Sequence, residues 1–133
     1  MPARRLSGGR GTRGGRSRSN FETWSWFFMR ISGLALFFLA LIHFFVTHIS
    51  HDVTTTNEAF VAARWANPLW RVFDWLLLTL GLLHGSNGLR YIMDDYLTTP
   101  RSRVVVKSLV YGLSFILFVV GTLTIVTYHH ALG

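Results

Sequence analysis

Polar and apolar positions divide the chain into blocks. After a polar, arginine-rich opening, apolar residues dominate at about 24–47, 69–92 and 104–128, and polar residues return between His48 and Asn67. Each apolar block is long enough to cross about 30 Å of hydrocarbon as a helix. None alternates strictly with a period of two, and an open sheet could not satisfy its backbone in lipid. The pattern predicts an all-α integral membrane protein with three transmembrane helices over those ranges.

Punctuation between the blocks agrees. Asn20 or Thr23 can cap the first helix with Glu22 near its positive end, and Trp24 and Trp26 fall where an interfacial aromatic belt is expected. Thr55-Thr56-Asn57-Glu58 fits a capping box that opens a short outer-surface helix, about 56–66, through Phe60 and Trp65. Asn67-Pro68 supplies a cap followed by proline at the first helical position, which starts the second span. Thr98-Thr99-Pro100 breaks it before the third.

Composition sharpens this picture. Half of the 133 residues are apolar and 14% are charged, too apolar a balance for an ordinary soluble domain. The net charge of +7 is concentrated: Arg4, Arg5, Arg10, Arg13, Arg16 and Arg18 all precede residue 20, among glycines and serines. Residues 1–20 read as a disordered cytoplasmic arm and residues 21–133 as the three-helix anchor domain. An arginine-glycine tail of this kind can also bind RNA. Basic residues that flank a membrane helix more simply mark its cytoplasmic end, so no nucleic-acid partner is expected.

Arg101, Arg103 and Lys107 lie between the second and third spans, and nothing basic follows Lys107. Both ends therefore predict a cytoplasmic N-terminus and an outside C-terminus. A cleaved signal peptide is not expected, because the first apolar run is long and lacks a small-residue cleavage site. The chain has no cysteine and can hold neither a disulfide nor an iron-sulfur cluster of its own. His129 and His130, adjacent and therefore facing apart on a helix, do not make a metal pair.

One stretch departs from the lipid-facing pattern. His84-Gly-Ser-Asn-Gly-Leu-Arg-Tyr-Ile-Met-Asp-Asp-Tyr96 carries an imidazole, a guanidinium, two carboxylates and two phenols at the end of the second span. Offsets of zero, four, seven and eleven residues place His84, Gly88, Tyr91 and Asp95 on one helix face, a stripe about 16 Å long. Gly81, Gly85 and Gly88 leave the backbone beside it open to another helix or a flat ligand.

A histidine inside a lipid span needs a partner. Two partners suit His84: heme iron, or a serine or carbonyl of a neighbouring helix. His43 in the first span is the natural candidate for a second ligand to the same iron. Helical rise puts it about 24 Å above the inner boundary and His84 only about 10 Å, so one iron cannot be reached by both. Asp94, Asp95 and Tyr96 lie at the inner water boundary. There they either pair with Arg90, Arg101 or Arg103, or serve a quinone, whose carbonyl accepts a phenol hydrogen bond while a carboxylate relays protons.

His84-x3-Gly88-x6-Asp95-Tyr96 resembles the second transmembrane helix of the small membrane-anchor subunit of succinate dehydrogenase, respiratory complex II. The words FMRISGLALFFLALIHFF, FVAARWANPLW and HGSNGLRYIMDDY look particularly like actinobacterial anchor subunits. The resemblance runs from Trp24 to Thr127 and leaves only the arginine-rich tail outside. It implies that His84 is an axial ligand of heme b shared with a larger cytochrome b anchor subunit, and that Asp95 and Tyr96 lie at the quinone site. Arg30 would pair with a heme propionate, Gly85 and Gly88 would admit the porphyrin edge, and menaquinone is the quinone an actinobacterial likeness favours.

FAD and iron-sulfur clusters would reside in the flavoprotein and iron-sulfur subunits. The expected setting is the bacterial cell membrane, in a succinate:quinone oxidoreductase that forms trimers in the wider family. Two alternatives stay open: a fumarate reductase anchor, with His43 serving a second heme or a distal quinone, and a non-redox scaffold whose polar residues only join helices.

Overall fold

A computed structural model of the chain describes residues 20–128, and these are helical almost throughout. The first helix, α1, spans Asn20–Phe44 and continues as a π-helical turn over Phe45–Ile49. Thr47 helps to explain the widened turn: its hydroxyl donates to the His43 carbonyl at 2.7 Å, competing with the regular ladder. A 3-10 turn follows at Val53–Thr55, then the short helix α2 at Glu58–Trp65. The long helices α3, Pro68–Tyr96, and α4, Pro100–Thr127, complete the chain.

Most expected boundaries hold within a turn. Asn67 caps α3, its side chain accepting from the Leu69 N–H at 2.9 Å, with Pro68 at the first helical position. The break expected at Thr98-Thr99-Pro100 separates α3 from α4. The cap of α2 is a correction. The Asn57 side chain accepts from the Phe60 N–H at 3.1 Å, whereas the Thr55 hydroxyl donates to the Asp52 carbonyl at 2.8 Å and is not free for a capping box. Asn outranks Thr as a cap, which favours this outcome. The arginine-rich arm and the His129-His130 pair lie outside the described residues.

The helix α3 is central, antiparallel to α1 along one side and to α4 along the other. Three side-chain pairs mark the register with α1: Ser25 with Tyr91, Ser32 with His84, and His43 with Asp74. Trp75 with Thr122, Leu78 against Gly121, and Asp94 with Lys107 mark it with α4. A Cβ on Gly121 would fall 2.6 Å from a Leu78 methyl, so a glycine is what lets these two helices close there.

Burial is inverted relative to a protein folded in water. The described residues with least exposure include Ser25, Ser32 and Ser86, whereas Leu34, Phe37, Val104, Leu109 and Phe115 each expose more than half of their surface. Small polar residues at helix contacts and large apolar residues outside are what a lipid environment selects. In water the outer faces would form an apolar patch far larger than monomers tolerate.

By length and apolarity two helices qualify to cross a membrane, Asn20–Ile49 and Pro100–Thr127. At 29 residues α3 is about as long, but Asp74, His84, Ser86 and Asn87 interrupt its apolar run. Those polar groups face α1 or the interior between helices, which is why α3 reads as less apolar than its neighbours.

Candidate functional site

Ser25 and Ser32 are seven residues apart on α1 and so share a face, and α3 presents Tyr91 and His84 to them at the same interval. At the upper contact the Ser32 Oγ lies 2.8 Å from His84 Nδ1. Gly33 brings the α1 backbone against the same ring: a Cβ there would meet His84 Cε1 at 3.2 Å. The other ring nitrogen, Nε2, has no hydrogen-bond partner among the described residues, and it is not among their buried unsatisfied atoms. His84 is thus held at Nδ1 and along Cε1, with Nε2 unpartnered among the described residues and 4.0 Å from where a Gly33 Cβ would stand.

The two partners considered for this histidine turn out to be compatible. The serine takes Nδ1 and leaves Nε2 free. Gly81 and Gly85 meet nothing within 4 Å, so the glycine face beside His84 is clear of this chain's own described helices. Gly88 differs, because the Met29 side chain approaches within 3.5 Å of where its Cβ would stand. Arg30 is exposed on the opposite side of α1, its guanidinium over the Trp26 ring at 4.0 Å.

About two turns below His84, Ser25 gathers a second cluster. Its hydroxyl oxygen accepts from Asn87 Nδ2 at 3.0 Å and from an Arg90 nitrogen at 3.3 Å, and lies 3.2 Å from the Tyr91 hydroxyl. The Arg90 guanidinium sits over the rings of Tyr91 and Phe21, while its Nε is buried without a partner among the described residues. Phe21, Trp26, Arg90, Tyr91 and Asp94 help to line a cavity of about 770 Å³, within the size range of small-molecule sites.

Of the expected face, His84, Gly88 and Tyr91 all meet α1. Asp95 lies beyond, where the described part of α1 begins, and is exposed, as is Tyr96 with 82% of its surface free. The arginine partners considered for these carboxylates give way to a lysine: Lys107 Nζ lies 2.5 Å from Asp94. The tight 97–99 connection brings the second turn of α4 level with the last turn of α3. The Lys107 hydrogen bond holds the Asp94 carboxyl, beyond the apolar stretch, below its ordinary range.

At the opposite end of α3, Asp74 accepts from Arg64 at 2.7 Å and from the Trp65 indole at 2.8 Å, tying α2 to α3. His43 Nδ1 is 3.5 Å from the same carboxylate, too poorly aligned for a hydrogen bond. Asp74 and His84 are ten residues apart, so His43 and His84 are separated by about 15 Å along the bundle. They do not come together. Ser25, Ser32, Gly33 and Asn87 are the members of this site that motif reasoning passed over. Two serines seven residues apart in an apolar span were the available signal.

Among the described residues no group of three or more His, Cys, Asp or Glu side chains is placed to hold a metal ion alone. Residues 10–133 match the family model described as succinate dehydrogenase/fumarate reductase transmembrane subunit. A succinate dehydrogenase hydrophobic membrane anchor subunit of Archaeoglobus fulgidus is 34% identical over 94 residues, 70% of this chain and 79% of that protein. The succinate dehydrogenase 2 membrane subunit SdhC of Mycobacterium tuberculosis is 32% identical over 73 residues, 55% of this chain and 53% of its own.

Proposed function

The chain belongs to the succinate dehydrogenase/fumarate reductase transmembrane subunit family, and from that membership we propose that it is the anchor through which a succinate:quinone oxidoreductase meets heme b and quinone in the bacterial membrane. Its helix α3 crosses the bilayer with α1 and α4, making three spans. The cytoplasmic side is the side of Arg90, Asp95 and Tyr96, in keeping with the basic residues there. The larger anchor, iron-sulfur and flavoprotein subunits are the partners, since succinate oxidation needs flavin chemistry for which this chain has no nucleotide-binding glycine fingerprint.

His84 carries the proposal. A neutral imidazole with Nδ1 engaged and Nε2 bare is the form that ligates iron. Space beside Gly85 and Gly81 suits a flat macrocycle. His43, about 15 Å away along the bundle, would not hold the same heme, and any further protein ligand would come from the larger anchor subunit. Heme b, when bound, supplies a one-electron store within the bilayer.

At the inner end, reduction of a quinone, with menaquinone favoured, takes two electrons and two protons. Tyr96 donates a hydrogen bond to a quinone carbonyl, and Asp95 takes protons from the cytoplasm at a depth water can reach. A cavity lined in part by Arg90, Tyr91 and Asp94 lies at this end, with Asp95 and Tyr96 outside its lining.

The test is a reduced-minus-oxidised absorbance spectrum of the assembled complex carrying His84→Ala. Loss of the b-type bands with the subunits still associated is expected. Unchanged bands would remove His84 from the heme and leave the chain as a scaffold.

A further inference from the structure

Ser32 is the least exposed of the described buried residues, at 2%, yet it is polar and sits in an apolar helix. A serine at such a place usually returns its hydroxyl to a carbonyl one turn back. Ser32 does so only loosely, with Met29 O at 3.5 Å, and makes its close contact to His84 Nδ1 at 2.8 Å. One hydroxyl has one proton. If that proton points to Met29, the oxygen receives Nδ1–H and Nε2 keeps its lone pair. If it points to Nδ1, the imidazole proton moves to Nε2, a donor without a partner on an apolar surface.

We infer that Ser32 is the positioning residue for His84, a relay running from Nδ1–H to the Ser32 oxygen and from the Ser32 hydroxyl to the Met29 carbonyl, which fixes the tautomer with Nε2 free to bind iron. Gly33 completes the seat by allowing α1 to lie against the ring edge, so the ring is held at Nδ1 and Cε1. The relay ends on a main-chain carbonyl and not on a carboxylate. This inference rests on the reading of His84 as a heme ligand.

Four versions of the assembled complex test it: the native serine, Ser32→Thr, Ser32→Ala and Ser32→Val. Thr and Val have nearly the same volume and differ in the hydroxyl, so strain from the added bulk is common to both. The readouts are heme retention, the low-field EPR signal of the ferric heme, and its midpoint potential. Ala and Val are expected to hold heme about 10- to 100-fold less tightly, with a shifted EPR signal and a more positive potential, while Thr stays with the native serine. Agreement of Ala with Ser, or of Val with Thr, in all three readouts would overturn the role of Ser32. Retention of heme by His84→Ala would instead overturn the ligand reading beneath it.

Discussion

Two polar clusters lie on the same helix, about 15 Å apart, and they differ in what they leave unsatisfied. Around Asp74, both carboxylate oxygens accept from α2, one from Arg64 and one from the Trp65 indole, in an ion pair of which neither side chain is more than 12% exposed, while His43 Nδ1 and Arg64 Nε stay buried without partners among the described residues. Around His84, only half of the imidazole's bonding capacity is used, and the adjoining glycines face open space. A carboxylate satisfied on both oxygens from a neighbouring helix joins helices. The half-open cluster is where, on the function proposed above, heme b would bind.

Substitutions at the two centres should dissociate. His84→Ala is expected to remove the heme spectrum entirely while leaving assembly intact, the largest effect at either cluster. Asp74→Ala should do the reverse. It leaves the Arg64 charge buried without its partner, at a cost of roughly 3–5 kcal/mol, read as a lower midpoint in detergent-denaturant unfolding, with a normal heme spectrum in what remains folded. Loss of heme in Asp74→Ala at full stability would erase the distinction between the clusters.

Smaller changes sharpen it. Gly33→Ala puts a methyl 3.2 Å from His84 Cε1 and should turn the ring by a few tenths of an ångström, shifting the low-field EPR signal while the heme stays bound. Gly85→Ala meets nothing within 4 Å among the described residues, so an effect on the heme spectrum would report a neighbour beyond them.

The smallest effect belongs to Asp94 and Lys107 on the exposed rim. The Asp94 carboxyl titrates below its ordinary value when folded. The pair therefore contributes fully above the ordinary carboxylate range and is lost as pH falls through the lower folded-state value. Lys107→Met should lower thermal stability slightly near neutrality and flatten the acid limb of the profile, so that the two proteins converge at low pH.

Helix positions were readable from the chain because caps and breaks are local chemistry. Asn67-Pro68 acts through a side-chain oxygen and a missing N–H, and Thr99-Pro100 through the proline's missing N–H, Thr99 making no side-chain cap bond; both work much the same in any surroundings. The cap of α2 was less legible because Thr55, Asn57 and Asp52 compete for the same few amides, and the winner depends on geometry that spacing does not encode.

The candidate site was legible from one side only. His84 stood out as a charge-capable group in an apolar run, and helical rise alone kept His43 away from it. Its partners were not visible, because Ser32 and Gly33 are unremarkable in sequence and acquire meaning only when the antiparallel register brings α1 across α3. Lys107 was hidden for the same reason: the arginines nearest to Asp94 along the chain are not the cation the fold delivers.

A density map of the assembled complex around His84 tests the account most directly. A planar macrocycle bound at Nε2, with its opposite ligand from the partner subunit and Nδ1 still on Ser32, is the expected result. Nε2 hydrogen-bonded to a partner side chain with no macrocycle beside it would contradict the account and return this chain to the role of a scaffold.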